Sequence, residues 1–272
     1  MAQDEFVDRR VLVTGAGAGI GAAIAASFVR AGARVAAVDL AADRIDGVLT
    51  ELRPGPGKAV GIVGDVRTQA SVDRIVEEAI AHLDRIEVVV NNAAVYPNCP
   101  VIEMPEEQWD AVLDTNLKGT FLVSRAVARH MVAERIRGHV INIASGAYQS
   151  ARRGASHYCA SKAGVVMFSK VLAQELAEHG IHVNVVSPGL IDVGRRGDVN
   201  PEYRRTLLTN IPWGRMGRPE EIADAVLFLS SRRAEYIPGP SSTCTVAAVP
   251  AGSFYPTAGG DHVRPASIGW RP

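Results

Sequence analysis

Short apolar runs rich in β-branched residues alternate along the chain with longer segments in which apolar residues recur every three or four positions. Runs of the first kind are typical of buried strands, and segments of the second kind are typical of amphipathic helices. The pattern predicts strands at residues 10–14, 35–38, 59–63, 86–90, 138–144 and 183–186, with helices between them that include 42–52, 69–82 and 106–133. Because strands alternate with helices throughout, we expect an α/β fold whose parallel sheet is covered by helices on both faces.

A glycine-rich turn joins the first predicted strand to the first predicted helix. Its glycines are Gly15, Gly19 and Gly21, in the spacing Gly-x-x-x-Gly-x-Gly. Glycines permit the tight turn and the close approach of a pyrophosphate, and the helix that follows offers its unpaired N–H groups and positive dipole end to the phosphates. The strand–turn–helix setting favours dinucleotide binding over a purely structural turn.

Asp39 stands at the carboxyl end of the second predicted strand. A carboxylate there can accept hydrogen bonds from both ribose hydroxyls of adenosine and would repel a 2′-phosphate, which favours NAD over NADP. Residues 16–18 supply no cation for such a phosphate, although Arg44 is close in sequence. Asp39 could also cap the helix that begins near Ala41, and the two roles could coexist.

Ser145, Tyr158 and Lys162 are the candidate reactive residues. Ser145 follows the strand 138–144, at the carboxyl edge where open α/β sheets place their ligands. Tyr158 and Lys162 are four residues apart in a helical pattern, so both side chains leave the same helix face. An ammonium about 4 Å from the phenol, at an effective dielectric constant of about 20, would favour the phenolate by roughly 4 kcal/mol. That corresponds to about three pKa units and would bring the tyrosine toward a pKa of about 7, suited to acid–base work. The alternatives are a surface Tyr–Lys pair and a serine that merely caps a turn.

Composition excludes several function classes. The 272 residues are 47% hydrophobic and 21% charged, which suits one compact domain, or at most two. The net charge is zero, which gives no indication of a nucleic-acid partner, and no run of 18 apolar residues predicts a membrane span. Cys99, Cys159 and Cys244 have no metal-ligand spacing and no evident disulfide partners, and the N-terminus lacks the apolar core of a secretion signal. We therefore expect no bound metal and a cytoplasmic location.

Residues from about 8 to 237 resemble a single-domain short-chain dehydrogenase/reductase. Each motif is weak alone, but their combination is specific. The motifs are the turn 14–21, Asp65-Val66, Asn91-Asn92-Ala93-Ala94 (with Ala94 where the family has glycine), Asn116, the Ser145/Tyr158/Lys162 set, Pro188-Gly189 and the helix start at Arg218-Pro219. The resemblance implies one Rossmann-type domain, a doubly wound parallel sheet over residues 1–272, and a homo-oligomer that is a dimer or a tetramer.

The resemblance also implies roles for individual residues. Ser145 would bind the substrate oxygen, Tyr158 would pass the proton, and Lys162 would lower the tyrosine pKa and hold the nicotinamide ribose. Asn116 would order a water leading from Lys162 toward solvent, unless it is a buried asparagine that only braces two strands. The positions expected to contact NAD are Gly15, Gly19, Ile20, Gly21, Asp39, Asp65, Val66, Asn92, Ala93, Tyr158, Lys162, Pro188, Gly189, Ile191 and Val193.

The implied activity is hydride transfer between NAD(H) and a small secondary alcohol or ketone. One alternative is a dehydrogenase of a cis-dihydrodiol or a steroid-like ring alcohol. Another is a non-catalytic NAD-binding regulator on the same fold.

The chain departs from the family pattern near Val193 and at its end. Val193 replaces a threonine that touches the nicotinamide carboxamide, at a cost of roughly 1 kcal/mol for one hydrogen bond. Residues 238–272 are atypical, because Pro238 and Pro240 lie where the last strand should begin, although residues 243–249 could still form that strand. Genuine divergence and a local reading-frame shift would both produce such a segment.

Residues 194–217 are expected to form a lid over the substrate. Arginines lie in the lid and just before the helix that carries Tyr158. They could bind an anionic substrate or could be solvated loop charges; they are Arg152, Arg153, Arg195, Arg196, Arg204, Arg205 and Arg215.

Overall fold

A computed structural model describes residues 5–52, 56–194, 209, 211 and 213–235, together with the backbone of residues 243–246. In this part of the chain seven parallel strands form one sheet, in the order β3-β2-β1-β4-β5-β6-β7. The strands are β1 (Arg10–Thr14), β2 (Arg34–Asp39), β3 (Lys58–Val63), β4 (Val88–Asn91), β5 (His139–Ile143), β6 (His182–Pro188) and β7 (Thr243–Val246). The helices are α1 (Gly19–Arg30), α2 (Ala42–Leu52), α3 (Gln69–Leu83), α4 (Glu106–Leu113), α5 (Gly119–Ala133), α6 (Ser156–Leu176) and α7 (Pro219–Leu229). The predicted α/β fold with a parallel sheet is confirmed.

The strand order reverses direction between β1 and β4. The chain builds β1, β2 and β3 outward on one side and then crosses to place β4 on the other side of β1, where Leu12 pairs with Val89. Open α/β sheets bind their ligands outside the carboxyl ends of the strands at such a switch point. The glycine turn after β1 and the segment after β4 therefore flank the expected ligand site.

The strands are buried on both faces because their side chains alternate between two apolar layers. Val11 and Val13 point into one layer, which α1, α2 and α7 cover, whereas Leu12 points into the other, which α3, α5 and α6 cover. All three side chains are fully buried, as expected for central strands of a parallel sheet.

The helix predicted over residues 106–133 is interrupted, so that prediction is wrong in one respect. Residues Asp114–Lys118 form a π-helical turn between α4 and α5, and the N–H of Gly119 donates to the carbonyl of Asp114. A Cβ at Gly119 would lie 2.8 Å from Cγ2 of Val66, so this turn packs directly against the segment after β3. The extra residue in the turn reorients Asn116, which becomes fully buried.

Residues 243–246 of the last expected strand, predicted over 243–249, form a strand. β7 pairs in parallel with β6, from Thr243 opposite Val185 to Val246 opposite Pro188. Residues 238–242 and 247–272, and residues 195–208, 210 and 212 of the expected lid, lie outside the described residues. The lid and the atypical C-terminal segment therefore stay predictions.

Across the described ranges, no helix is long and apolar enough to cross a membrane. Within the same ranges no group of three or more His, Cys, Asp or Glu side chains is placed to hold a metal ion.

Candidate active site

The glycine turn presents an open helix N-terminus at the switch point. Gly15 and Gly19 adopt positive φ angles of 63° and 56°. A Cβ at Gly21 would lie 2.0 Å from the carbonyl oxygen of Gly15, so only glycine fits there. Ala18 at the start of α1 provides no side-chain cap, and the first turn holds no acidic residue. The N-terminus of α1 therefore fits an anionic group such as the pyrophosphate of a dinucleotide.

Thr14 and Asn92 fasten this turn to β4. The hydroxyl of Thr14 accepts hydrogen bonds from the N–H groups of Asn92 (3.1 Å) and Ala93 (3.2 Å). In return Nδ2 of Asn92 donates to the carbonyls of Thr14 (3.1 Å) and Gly15 (3.0 Å). The Asn92 amide thus holds the glycine turn in place, and sequence reasoning had given Thr14 no such role.

Asp39 is almost fully buried beside the turn. Its Oδ2 accepts from the N–H of Gly17 (3.0 Å), and its Oδ1 accepts from the N–H of Ala41 (3.2 Å), just before α2. A carboxylate has about four acceptor positions, so two remain for ribose hydroxyls. The capping role and the ribose role expected for Asp39 are therefore compatible. A Cβ at Gly17 would lie 2.7 Å from Cβ of Arg44, which places that arginine against the same turn.

Asp65 and Val66 lie after β3. Partial burial raises the pKa of Asp65, but hydrogen bonds and charge from Arg67 outweigh it, so the pKa falls below its ordinary value. Asp65 Oδ2 lies 2.8 Å from an Arg67 guanidinium nitrogen. The Asp65 carboxylate is thus committed to Arg67, and Val66 is buried against Gly119.

Tyr158 and Ser145 meet at the carboxyl end of β5. The two side chains share a hydrogen bond, and the Tyr158 ring meets the ring of Tyr96 edge to face, with centroids 6.0 Å apart. Oγ of Ser145 also accepts from the N–H of Ala147 (3.2 Å) at the start of a 3-10 turn over Gly146–Tyr148. Ser145 therefore caps a turn and faces the phenol at the same time.

Lys162 lies one helical turn after Tyr158 and is 3% exposed. Its Nζ donates to the carbonyl of Ile143 at 2.7 Å and lies 5.8 Å from the centroid of the Tyr158 ring. Burial lowers the pKa of Lys162 from 10.5 to about 8. The ammonium is tied to the end of β5, and two of its three donors remain for other acceptors.

The expected lowering of the Tyr158 pKa is wrong in sign for this structure. Burial raises the pKa of Tyr158 above 10, and the opposing effects of the Ser145 hydrogen bond and the Arg152 charge are smaller. The expectation failed because it placed the Lys162 ammonium beside the phenol and ignored desolvation. In the structure that ammonium is bonded to Ile143, and the phenol is partly buried.

Asn116 braces the segment that follows β4. Its Oδ1 accepts from the N–H of Val95 (2.8 Å), and its Nδ2 donates to the carbonyl of Val95 (2.9 Å) and to Oγ of Ser161 (3.1 Å). These bonds join the loop after β4 to α6, so Asn116 braces a loop against a helix and not two strands as the alternative supposed. The water-ordering role implied by the resemblance stays a prediction.

The segment after β6 turns back over the glycine turn. Ile191 forms a parallel bridge with Gly217, and Cγ1 of Val193 would lie 3.3 Å from a Cβ at Gly19. Pro188 and Gly189 thus lead a chain segment from the end of β6 to the N-terminus of α1. The structure brings this predicted cofactor-binding set to one edge of the sheet.

A buried polar network lies beneath the site, and sequence reasoning gave it no role. Nδ2 of Asn91 donates to Oγ of Ser124 and to Oδ1 of Asn142, both at 2.8 Å, and Nδ2 of Asn142 donates to Oγ of Ser169 at 2.8 Å. Asn91 and Asn142 occupy opposite positions on β4 and β5. The network joins these strands to α5 and α6. The sequence feature that could have indicated it is an asparagine inside each of two apolar strands.

Comparisons with known proteins agree with this geometry. Residues 9–204 match the short chain dehydrogenase family. The chain is 41% identical over 230 residues to D-threitol dehydrogenase of Mycolicibacterium smegmatis. The aligned region covers 84% of this chain and 88% of that protein. It is 38% identical over 228 residues to 3-oxoacyl-(acyl-carrier-protein) reductase FabG of Thermotoga maritima, and this alignment covers 84% of this chain and 92% of that protein. A solved short-chain type dehydrogenase/reductase from Mycobacterium marinum superposes with a TM-score of 0.81 at 35% identity, covering 89% of this chain and 94% of that one.

Proposed function

The chain belongs to the short-chain dehydrogenase family of oxidoreductases, and we propose that it transfers hydride between NAD(H) and a small secondary alcohol or ketone. The observation that carries the proposal is the meeting of Ser145, Tyr158 and Lys162 with the open N-terminus of α1 at one sheet edge. A pure NAD-binding regulator would need the helix N-terminus but not a serine–tyrosine pair beside it.

Each reactive residue has a distinct task in this proposal. Ser145 orients the substrate oxygen by a hydrogen bond. Tyr158 donates a proton to that oxygen when a ketone is reduced, and its deprotonated phenolate form accepts the proton when an alcohol is oxidised. Burial raises the pKa of Tyr158, so the phenol is protonated at neutral pH and ready to act as the acid. The bound nicotinamide supplies or accepts the hydride, and Lys162 holds the ribose with the donors that Ile143 leaves free.

The proposed cofactor is NAD. Asp39 places a negative charge beside Gly17, where the adenosine ribose would lie, and a 2′-phosphate would be repelled there. Gly15, Gly19, Ile20 and Gly21 would hold the pyrophosphate through backbone N–H groups. Asp65, Val66, Ala93, Pro188, Gly189, Ile191 and Val193 would line the remaining cofactor site.

The relatives support a small oxygenated substrate without agreeing on one. One is named for the oxidation of D-threitol, a second for sorbitol, and a third for the reduction of a 3-oxoacyl group. A secondary alcohol or the corresponding ketone is common to all three names, and we propose the same reacting group here.

We also propose that the protein is a homo-oligomer. Exposed apolar side chains lie on α5 and α6, namely Phe121, Met167 and Val171, and the ring of Phe121 packs against Phe168 of the other helix. Burial of this apolar face against a second copy would stabilise a dimer. A monomeric mass by light scattering at micromolar concentration would refute the proposal.

The proposed function is tested by replacing Tyr158 with Phe. We expect the rate of NADH formation across a panel of secondary alcohols to fall by at least about 100-fold, because the proton carrier is lost. Tyr148→Phe in the neighbouring 3-10 turn is the matched control and should retain activity. Equal activity of wild type and Tyr158→Phe would remove the mechanism, and absence of any NAD-linked turnover by wild type would remove the function.

A further inference from the structure

The loop between the 3-10 turn and α6 carries an arginine to the reactive phenol. Residues 149–155 form this loop, and its end is fixed because the N–H of Cys99 donates to the carbonyl of Gly154 at 2.8 Å. The N–H of Ala155 donates to the carbonyl of Arg152 at 3.1 Å, which closes a tight turn just before Tyr158. The loop is thus pinned between the segment after β4 and the first turn of α6.

Arg152 is partly buried in this loop, whereas its neighbour Arg153 is exposed. The positive charge of Arg152 is close enough to lower the pKa of Tyr158, against the larger effect of burial. The loop that carries Arg152 leads directly into the first turn of α6, so the guanidinium lies within electrostatic range of the phenol.

Arg152 also lacks a counter-charge. Across the described residues, its guanidinium makes neither an ion pair nor a hydrogen bond. The other partly buried arginines in the same ranges have polar partners, for example Arg67 with Asp65 at 2.8 Å and Arg10 with Glu87 at 3.7 Å. A partly buried guanidinium without an anion loses solvation and gains no ion pair in exchange, so it is a binding group for an incoming anion.

We propose that Arg152 binds an oxyanion of the substrate, a carboxylate or a phosphate, so that the enzyme acts on anionic alcohols or ketones. The inference rests on the proposed function and adds the substrate class. The planar guanidinium can take both oxygens of a carboxylate or two of a phosphate at once. Such a pair fixes the substrate at one end while Ser145 and Tyr158 bind the reacting oxygen at the other.

The test compares charged and neutral substrates of similar shape. Acetoacetate is paired with acetoacetamide, and dihydroxyacetone phosphate is paired with dihydroxyacetone, each with NADH. Wild type, Arg152→Gln, Arg152→Lys and the control Arg153→Gln are assayed. Acetate and inorganic phosphate are also tested as competitive inhibitors of whichever alcohol or ketone the wild type turns over.

Wild type should prefer the charged member of at least one pair, and Arg152→Gln should raise KM for that member about tenfold or more while kcat changes little. The same variant should leave the neutral member unaffected, Arg152→Lys should recover part of the loss, and Arg153→Gln should behave as wild type. Preference within the first pair identifies a carboxylate, and preference within the second identifies a phosphate. If the charged members are inactive, the inhibition assay replaces them. Acetate or phosphate should then inhibit wild type competitively, and Arg152→Gln should weaken that inhibition about tenfold.

The inference is overturned by either of two outcomes. One is equal loss on charged and neutral members in Arg152→Gln, which would assign Arg152 a structural role. The other is wild-type turnover of neutral substrates with no charge preference and no anion inhibition. In the second case the proposed function still stands, whereas only absence of all NAD-linked turnover removes both.

Discussion

Lys162→Met should make the protein more stable at neutral pH and inactive. Burial lowers the pKa of Lys162 from 10.5 to about 8, a difference of about 2.5 units. At 1.36 kcal/mol per unit, the folded state disfavours the ammonium by about 3 kcal/mol relative to the unfolded chain. Methionine has a similar length and no charge, so it escapes this cost but loses the hydrogen bond to Ile143, worth about 1.5–3 kcal/mol. The expected net gain at pH 7 is about 1 kcal/mol, and activity is lost with the side chain that we propose holds the nicotinamide ribose.

The pH dependence of stability is a more specific test of the buried Lys162 charge than stability at a single pH. Between pH 8 and 10.5 the unfolded lysine binds more protons than the folded one, so the stability of wild type rises with pH in that window. By pH 9.5 wild type should have gained about 2 kcal/mol relative to Lys162→Met. Urea unfolding of both proteins at pH 7.0 and 9.5 measures this difference, because the other titrating groups cancel in the comparison.

Lys170→Met is the matched control, since Lys170 lies on the same helix and is only partly buried. It should show no comparable change with pH and should retain activity. If the stability difference between wild type and Lys162→Met is the same at both pH values, Lys162 does not carry a buried charge at neutral pH and its burial does not cost stability.

Two further predictions concern cofactor choice and acid stability. Asp39→Ala should raise the ratio of kcat/KM for NADP over NAD by at least about tenfold, because one charge that repels a 2′-phosphate is removed. The variant should also lose about 1–2 kcal/mol of stability with the hydrogen bonds from Gly17 and Ala41. Asp43→Ala, at an exposed position, is the control, and an unchanged cofactor ratio in Asp39→Ala would contradict the argument. His139→Gln should resist acid better than wild type, because burial, followed by the charges of Arg9 and His182, lowers the pKa of His139 to about 3. Between pH 6.5 and 3 the unfolded histidine binds a proton that the folded one does not, so by pH 5 the free energy of unfolding of wild type should fall by about 2 kcal/mol relative to the variant. Urea unfolding at pH 7.5 and 5.0 would detect this difference. Equal losses of stability in both proteins would count against the prediction.

The sheet was predictable because the residues of each strand are enough to identify it as a strand, without reference to distant parts of the chain. Runs such as Val11-Leu12-Val13 are β-branched or leucine, apolar on both faces, and bounded by polar or glycine residues, and the structure places each in a strand within two residues of the predicted bounds. The shared face of Tyr158 and Lys162 followed equally from helical periodicity, since a spacing of four residues brings side chains together whatever surrounds them.

The π-helical turn at Asn116 was not predictable, because its cause lies far away in sequence. The turn packs Gly119 against Val66 and turns the Asn116 amide toward Val95, and both contacts depend on tertiary structure. The pKa of Tyr158 was mispredicted for a related reason. Helical spacing gives the distance between two side chains along a helix, but it reports neither desolvation nor a carbonyl at the end of β5 that binds the Lys162 ammonium.

The site residues divide into two groups with different expected phenotypes. Asp39, Asn92 and Asn116 satisfy backbone groups of the segments that form the site, so their removal should lower stability and activity together. We propose that Tyr158 and Arg152 act on the substrate, and Arg152 has no ion-pair partner among the described residues, so their removal should change kinetics with little change in stability. Lys162 belongs to neither group, because its burial costs stability at neutral pH. A buried ammonium kept at such a cost is the pattern expected when function, rather than folding, requires the charge.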